Sequence, residues 1–135
     1  MTTRSSAVRH ILPTGAIEPT GTWSLAALDT TTNTLYVAGM RGIDPRTNKL
    51  VDGAAARIRQ AFLNMRHIAE SQGATLRDCL RIVDSTTDMY RYRPIANQVQ
   101  EELWAGGPYP PRTIVEVHRL NDDDIFEVEG TFHIP

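Results

Sequence analysis

One long amphipathic segment does most to limit the architectures open to this chain. Between residues 53 and 72, apolar side chains recur at intervals of three and four: Ile58, Ala61, Phe62, Met65, Ile68 and Ala69. That spacing places them on one face of a helix. Asp52 is expected to cap the start of this helix and Gly73 to end it. A helix with a single apolar face needs a second layer to pack against.

Short strand-like runs lie on both sides of the predicted helix and supply that layer. Two apolar runs, residues 23–28 and 34–39, surround the polar tract 29–33, which is typical of a hairpin. After the helix, residues 79–87 alternate between apolar and polar side chains, as a strand does.

The last third of the chain predicts a second helix and two more strands. Pro94 suits the first turn of a helix that ends at Gly106-Gly107. Residues 113–119 and 125–134 are expected to pair as a closing hairpin. The predicted order is β-β-α-β-α-β-β, an α+β design with two helices on one face of a mixed sheet.

Length and composition narrow the function. The 135 residues suit one domain, whose residues 1–22 form an irregular arm with a short strand near residues 9–12. With 14 Lys+Arg against 16 Asp+Glu, the net charge of −2 offers little attraction for nucleic acid or anionic lipid. We therefore expect neither a nucleic acid nor a membrane as a partner.

The sequence gives little indication of a disulfide, a metal site or a leader segment. The single Cys79 cannot form an internal disulfide, and no His/Cys group has metal-ligand spacing, so no metal site and no cofactor are expected. The first nine residues lack the apolar run of a signal peptide, and no segment approaches the roughly 20 apolar residues of a membrane span. The expectation is a soluble, cytoplasmic protein.

Charged residues in the closing strands point toward a site. Phe126 and Val128 are assigned to the helix side of the sheet, which turns Glu127 to the other face. That helix-free face mixes aliphatic and charged side chains, so it is expected to be buried against sister copies. In a direct hairpin, Arg112 and Glu127 would lie roughly 10 to 20 Å apart along the strands. A ligand shared by both would then sit across a subunit boundary.

Five motifs, in order, resemble those of the Rid (YjgF) family of reactive-intermediate deaminases. Residues 33–39 resemble its N-x-L-Y-V-S-G strand, residues 44–50 its D-P-x-T-G-x-L turn, residues 87–89 its T-D-M, residues 111–117 its P-x-R-[ST]-x-V-x-V signature and residues 127–129 its E-I-E. Together they extend over nearly the whole chain from Gly21 onward.

The resemblance implies a chorismate-mutase-like fold and a homotrimer with a central barrel and three clefts between subunits. It also implies that Arg112 grips a substrate carboxylate and that Glu127 holds the hydrolytic water. Both are therefore the expected catalytic residues.

The same resemblance suggests substrate-binding residues around this pair. Asn97 falls where the family's second helix usually carries asparagine, and Trp23 replaces a tyrosine that lines the pocket. The backbone N–H of Gly39 is expected to assist carboxylate binding, and Ile114 belongs to the arginine motif.

Two departures from the family pattern bear on specificity. Where the family reads S-G-Q-I-P, residues 38–42 read Ala-Gly-Met-Arg-Gly, so Met40 and Arg41 are expected to change the cleft wall. Arg41 either adds a positive charge for a larger or dicarboxylic, aminomuconate-like substrate, or is an exposed turn residue. Asp84 replaces an apolar residue and needs a partner such as Arg81 or a neighbouring subunit.

The expected reaction is cofactor-independent hydrolysis of a small carboxylate-bearing enamine or imine to a 2-oxo acid and ammonia. An arginine fork holds a carboxylate through two charge-assisted hydrogen bonds, and imine hydrolysis needs a positioned water and proton transfer. The alternative is a non-catalytic trimer that binds small carboxylates as a sensor or chaperone-like module. A ribonuclease is disfavoured by the acidic charge balance.

Overall fold

Two helices pack on one face of a six-stranded mixed sheet in the computed structural model, which describes residues 6–135. The elements are β1 (Val8–Ile11), β2 (Ala26–Asp29), β3 (Thr34–Met40), β4 (Ile43–Asp44), β5 (Lys49–Leu50), α1 (Ala54–Ser71), β6 (Cys79–Thr86), α2 (Met89–Leu103), β7 (Arg112–Glu116) and β8 (Phe126–His133). Strands β4 and β5 form a separate ribbon. The predicted α+β architecture is confirmed. Strand β1 lies within the predicted arm, whose first five residues fall outside the described part of the chain.

The strand order corrects one prediction. The sheet runs β1-β2-β3-β8-β6-β7, so the predicted β2–β3 hairpin is present but β7 and β8 do not pair. Instead β8 lies antiparallel between β3 and β6, and β7 is an edge strand parallel to β6. Helix α2 carries the chain across the helix face from β6 to β7, and this crossover makes those strands parallel. β8, whose Phe126, Val128 and Phe132 side chains are fully buried, takes the central position.

The core lies between α1, α2 and the sheet. All six apolar positions predicted for the inner face of α1 are buried, as are Phe126, Val128 and Phe132 of β8. Phe62 stacks near Phe126 at a centroid distance of 5.6 Å and meets Trp104 edge-on at 6.2 Å. The indole N–H of Trp104 donates to the Leu76 carbonyl at 3.0 Å, which satisfies its polar end inside the core.

Both helices begin at positions that differ from the sequence predictions. Gly53, with a positive φ of 87°, is the N-terminal cap of α1, and Asp52 is not. Gly73 follows the last turn at a φ of 85°, as predicted. Helix α2 begins at Met89 because the Asp88 carboxylate accepts from the Arg91 amide, so Pro94 lies inside the helix rather than in its first turn.

None of the helices found among residues 6–135 is both long enough and apolar enough to cross a bilayer.

Candidate active site

Glu127 sits on the helix-free face of β8, against a bulge in β3. Its neighbours Phe126 and Val128 are fully buried toward the helices, so alternation turns Glu127 the other way. Strand β3 carries two residues, Ala38 and Gly39, where the pairing between Val37 and Met40 shifts. A Cβ built on Gly39 would lie 2.1 Å from the Glu127 Oε1 atom. Glycine at position 39 therefore makes room for the Glu127 carboxylate.

The pocket around Glu127 is small and mixed in character. It encloses about 240 Å³ and is lined by Glu127, Gly39, Arg41 and Trp23 together with the apolar side chains of Ile17 and Ile43. Burial raises the pKa of Glu127, and the nearby Arg41 charge opposes that rise. A carboxylate with a raised pKa in a partly dry pocket is suited to holding a water and accepting its proton.

Arg41 is buried and already paired, so it is not the exposed turn residue that the sequence left open. Its guanidinium donates to Asp124 at 3.0 Å, to Asp122 at 3.2 Å and to the Asn121 carbonyl at 3.1 Å. Asp124 has no exposed surface and also faces Arg57 at 3.5 Å. These bonds tie the loop before β8 to the turn after β3.

Met40 does not form part of the cleft wall, contrary to the sequence prediction. It faces Val128 across the sheet and is fully buried in the core. The bulge before it reverses the alternation that would otherwise turn it outward.

Arg112 begins β7 and turns toward the helices. It pairs with Ile82 of β6, a fully buried residue, which fixes the face of the sheet to which its side chain points. Its Nη1 atom donates to the Oε1 atom of Gln100 on α2 at 2.6 Å. The Glu116 carboxylate, further along β7, accepts from the Met89 amide at 2.9 Å.

A second pocket, of about 450 Å³, opens in front of Arg112 at the sheet edge. Asn97, Gln100 and Glu101 of α2 line one side, and Tyr109 and Pro110 line the other. Asn97 is thus close to Arg112, as the resemblance suggested. Ile114 lies further along β7, half-buried and opposite Asp84, and is not part of this lining.

Asp84 lies behind Arg112, and its partner is not the predicted Arg81. Arg81 donates to the Thr113 hydroxyl, on the other face of the sheet. The Arg112 Nη1 atom lies 3.8 Å from the Asp84 Oδ2 atom. Burial raises the pKa of Asp84 to about 7, and the Arg112 charge acts in the opposite direction.

Apart from Ile114, the predicted site residues divide between two pockets of one chain. Arg112 pairs with Ile82, whereas Glu127 pairs with Ser85, three residues further along β6 and on its other side. Strand spacings place their Cα atoms roughly 14 Å apart. Their side chains also point to opposite faces of the sheet, so one chain does not bring them to one small ligand.

Sequence reasoning missed two residues that shape these pockets. Gln100 is buried beside Val99 on the inner face of α2, and a polar residue next to an apolar one on that face is a usable signal. Asp124 is the last residue of the acidic run 122–124. No local pattern marks it as the buried member of that run.

Comparison with known proteins places this geometry in a family. The family model described as Endoribonuclease L-PSP matches residues 14–134. A RutC family protein of Sulfurisphaera tokodaii is 37% identical over 97 residues, which are 71% of this chain and 76% of that protein. A 2-iminobutanoate/2-iminopropanoate deaminase of Dermatophagoides farinae is 31% identical over 116 residues, 85% of this chain and 88% of that protein.

Solved structures agree in fold over almost the entire chain. A protein of Rhodopseudomonas palustris, described as a probable translation initiation inhibitor, superimposes with a TM-score of 0.90 at 45% identity, covering 95% of this chain and 98% of that one. RidA from an Antarctic Psychrobacter gives a TM-score of 0.86 at 32% identity, covering 93% and 99%. The chain therefore belongs to the Endoribonuclease L-PSP family, the group that includes the Rid (YjgF) proteins.

Proposed function

We propose that this protein is a cofactor-independent deaminase that hydrolyses a small 2-imino acid, or its enamine tautomer, to a 2-oxo acid and ammonia. The observation that carries the proposal is the half-buried Glu127 carboxylate, packed over Gly39 with its pKa raised by burial. Relatives named as 2-iminobutanoate/2-iminopropanoate deaminases support the same reaction.

Arg112 is the proposed carboxylate-binding group. Its guanidinium is largely buried, is oriented by Gln100, and opens onto a pocket that also contains Asn97. A guanidinium binds a carboxylate through two parallel charge-assisted hydrogen bonds, which fixes the adjacent C=N carbon in space.

Glu127 is the proposed water-activating group. Its carboxylate accepts a proton from the water as the oxygen attacks the imine carbon, and passes that proton to the nitrogen, which gives a carbinolamine. The hydroxyl proton of the carbinolamine then moves through Glu127 to the nitrogen as the C=O bond forms. The C–N bond breaks as ammonia leaves, and one water is consumed for each 2-oxo acid formed. The electrophile is present in the imine itself.

We propose that the two groups meet between subunits of a homotrimer. Arg112 stands at an edge strand, and Glu127 lies on the open face of the sheet, where Tyr36 and Val115 are also exposed. A second copy whose edge strand lies against that face covers the apolar area and brings its Arg112 toward Glu127 of the first.

A small monocarboxylate suits this site better than an aminomuconate-like dicarboxylate. The dicarboxylate hypothesis required Arg41 to offer a free positive charge. Both terminal nitrogens of Arg41 are instead occupied by Asp122 and Asp124. If Arg41 did bind a second carboxylate, Arg41→Lys would change the preference between mono- and dicarboxylic imines, and we expect no such change.

The first test is ammonia release from 2-iminobutanoate generated in the cuvette by a dehydratase, corrected for spontaneous hydrolysis. Glu127→Gln should abolish the enzymatic rate and keep binding of 2-oxobutanoate, whereas Arg112→Ala should lose both. Glu129→Gln is the matched control, because Glu129 is an exposed carboxylate on the same face of the same strand. Binding without any enzymatic rate in the wild type would favour the non-catalytic alternative.

The second test asks whether the site spans two subunits. Equal amounts of Arg112→Ala and Glu127→Gln protomers are unfolded together and refolded into mixed trimers. If each site takes one residue from each neighbour, about a quarter of the sites in a random mixture are intact. A mixture as inactive as its parents would show that both residues act within one chain, and a monomer in sedimentation would refute the assembly.

A further inference from the structure

Asp84 is a buried carboxylate that makes no hydrogen bond. It has no exposed surface, and its two carboxylate oxygens are the only buried side-chain polar atoms in residues 6–135 that lack a hydrogen-bond partner. Buried carboxylates are rarely left in this condition, because the lost hydration is not replaced. The Arg112 guanidinium, 3.8 Å away, is its closest source of compensation.

Arg112 is therefore shared between an inner and an outer anion. On the inner side lie Asp84 and the Gln100 amide oxygen, and on the outer side lies the open pocket. A ligand carboxylate bound at Arg112 competes with Asp84 for the same positive charge. Two carboxylates on one guanidinium in a dry environment repel each other, and the buried one is relieved by protonation.

We propose that Asp84 is a positioning residue for Arg112: it holds the guanidinium at the inner end of the pocket in the free protein and takes up a proton when Arg112 binds a carboxylate. The inference rests on the proposed function in one respect, since it takes Arg112 as the ligand-binding arginine. Asp84 itself touches no ligand.

The surroundings of Asp84 leave few other groups to take up this proton. The pKa of Asp84 is raised by burial to about 7, and Arg112 is the one charged group that affects it appreciably. The residues of α1 buried in the core are uncharged. The remaining groups that face Asp84 or line the pocket of Arg112 lie on β6, β7, β8, α2 and the segment before β7: Ile82, Thr86, Ile114, Glu116, Val128, Asn97, Gln100, Glu101, Tyr109 and Pro110. Of these, only Glu101, Tyr109 and Glu116 are ionisable.

The direction of the pH effect follows from linkage. A bound anion raises the pKa of the buried carboxyl further, so the complex holds a proton that the free protein has partly released near neutral pH. Ligand affinity must then fall as pH rises through that range, by at most about tenfold per pH unit.

The experiment is calorimetric titration with 2-oxobutanoate, whose own carboxyl stays ionised throughout the range. Runs at about pH 7 in two buffers of different ionisation enthalpy give the number of protons taken up, which we expect to be about half a proton per site. From about pH 6 to about pH 8.5, we expect the wild-type Kd to rise about threefold or more. A pH-independent Kd with no uptake would overturn the proposal, as would binding that survives in Arg112→Ala or is undetectable in the wild type.

Variants identify the group responsible. Asp84→Asn keeps the size of the side chain and should show neither proton uptake nor a pH-dependent Kd. Glu101→Gln, Tyr109→Phe and Glu116→Gln should each keep the wild-type coupling, and its loss in any of them would assign the proton elsewhere. The wild-type titration stands even if Asp84→Asn folds poorly.

Failure of this inference is distinguishable from failure of the proposed function. Proton-coupled binding without ammonia release would refute the deaminase and leave the role of Asp84 standing. Enzymatic ammonia release with pH-independent binding would refute the role of Asp84 and leave the deaminase standing.

Discussion

Replacing Asp84 with Asn should change the stability of the protein relative to the wild type in a way that favours the variant increasingly as pH rises. The pKa of Asp84 rises from its ordinary value of 3.8 to about 7 because the carboxyl is buried. A displacement of that size corresponds to about 4 kcal/mol, an upper limit. The folded protein binds this proton more tightly than the unfolded chain does. The wild-type free energy of unfolding therefore falls as pH rises from about 4 to about 7, and this contribution is constant above that.

Asparagine does not titrate, so the difference between the variant and the wild type isolates the contribution of Asp84. Urea unfolding followed by tryptophan fluorescence, at one protein concentration and at pH 5, 6, 7 and 8, gives that difference directly. Relative to the wild type, the free energy of unfolding of the variant should rise by about 2 to 3 kcal/mol between pH 5 and pH 8. The unpaired amide adds an offset that is the same at every pH. A difference that does not change with pH would refute the reasoning, whatever its sign.

The other predictions concern the Glu127 pocket. Gly39→Ala puts a methyl group against the Glu127 carboxylate and should reduce ammonia release by about 100-fold, with a normal unfolding midpoint as the check on folding; an unchanged rate would contradict the close packing. Because burial raises the pKa of Glu127, kcat/KM should fall on the acid side at a pH above the ordinary glutamate value of 4.5. Arg41→Met removes a charge that lowers this pKa, so the acid limb should move to higher pH; a shift to lower pH would count against it. The same variant deprives buried Asp124 of a partner and should destabilise the protein by about 3 kcal/mol in urea unfolding.

Features that follow from a local periodicity were predicted correctly from the sequence. They are the inner face of α1, the β2–β3 hairpin and the helix-facing side of β8, each of which depends on a pattern within a few residues. The motifs around Arg112 and Glu127 indicated the family for the same reason, since each motif is a short contiguous string. Asp84 was expected to need a partner, either Arg81 or a neighbouring subunit, and the guanidinium beside it in this chain is that of Arg112.

The tertiary structure corrected the parts that depend on distant pairing. Whether β8 joins β7 or enters between β3 and β6 is decided by which arrangement buries Phe126, Val128 and Phe132 under both helices, and no local signal contains that choice. The same pairing turns Arg112 to the helix side, next to Gln100 and Asp84.

Local sequence patterns thus specify the helices and strands, the faces they bury and the residue types available for chemistry, because propensity and alternation act over one or two turns of chain. Which charges are paired depends instead on the tertiary structure. It gave Arg41 to Asp124 and Arg112 to Asp84, and it set Glu127 against Gly39, because burial and ion pairing depend on chain segments far apart in sequence.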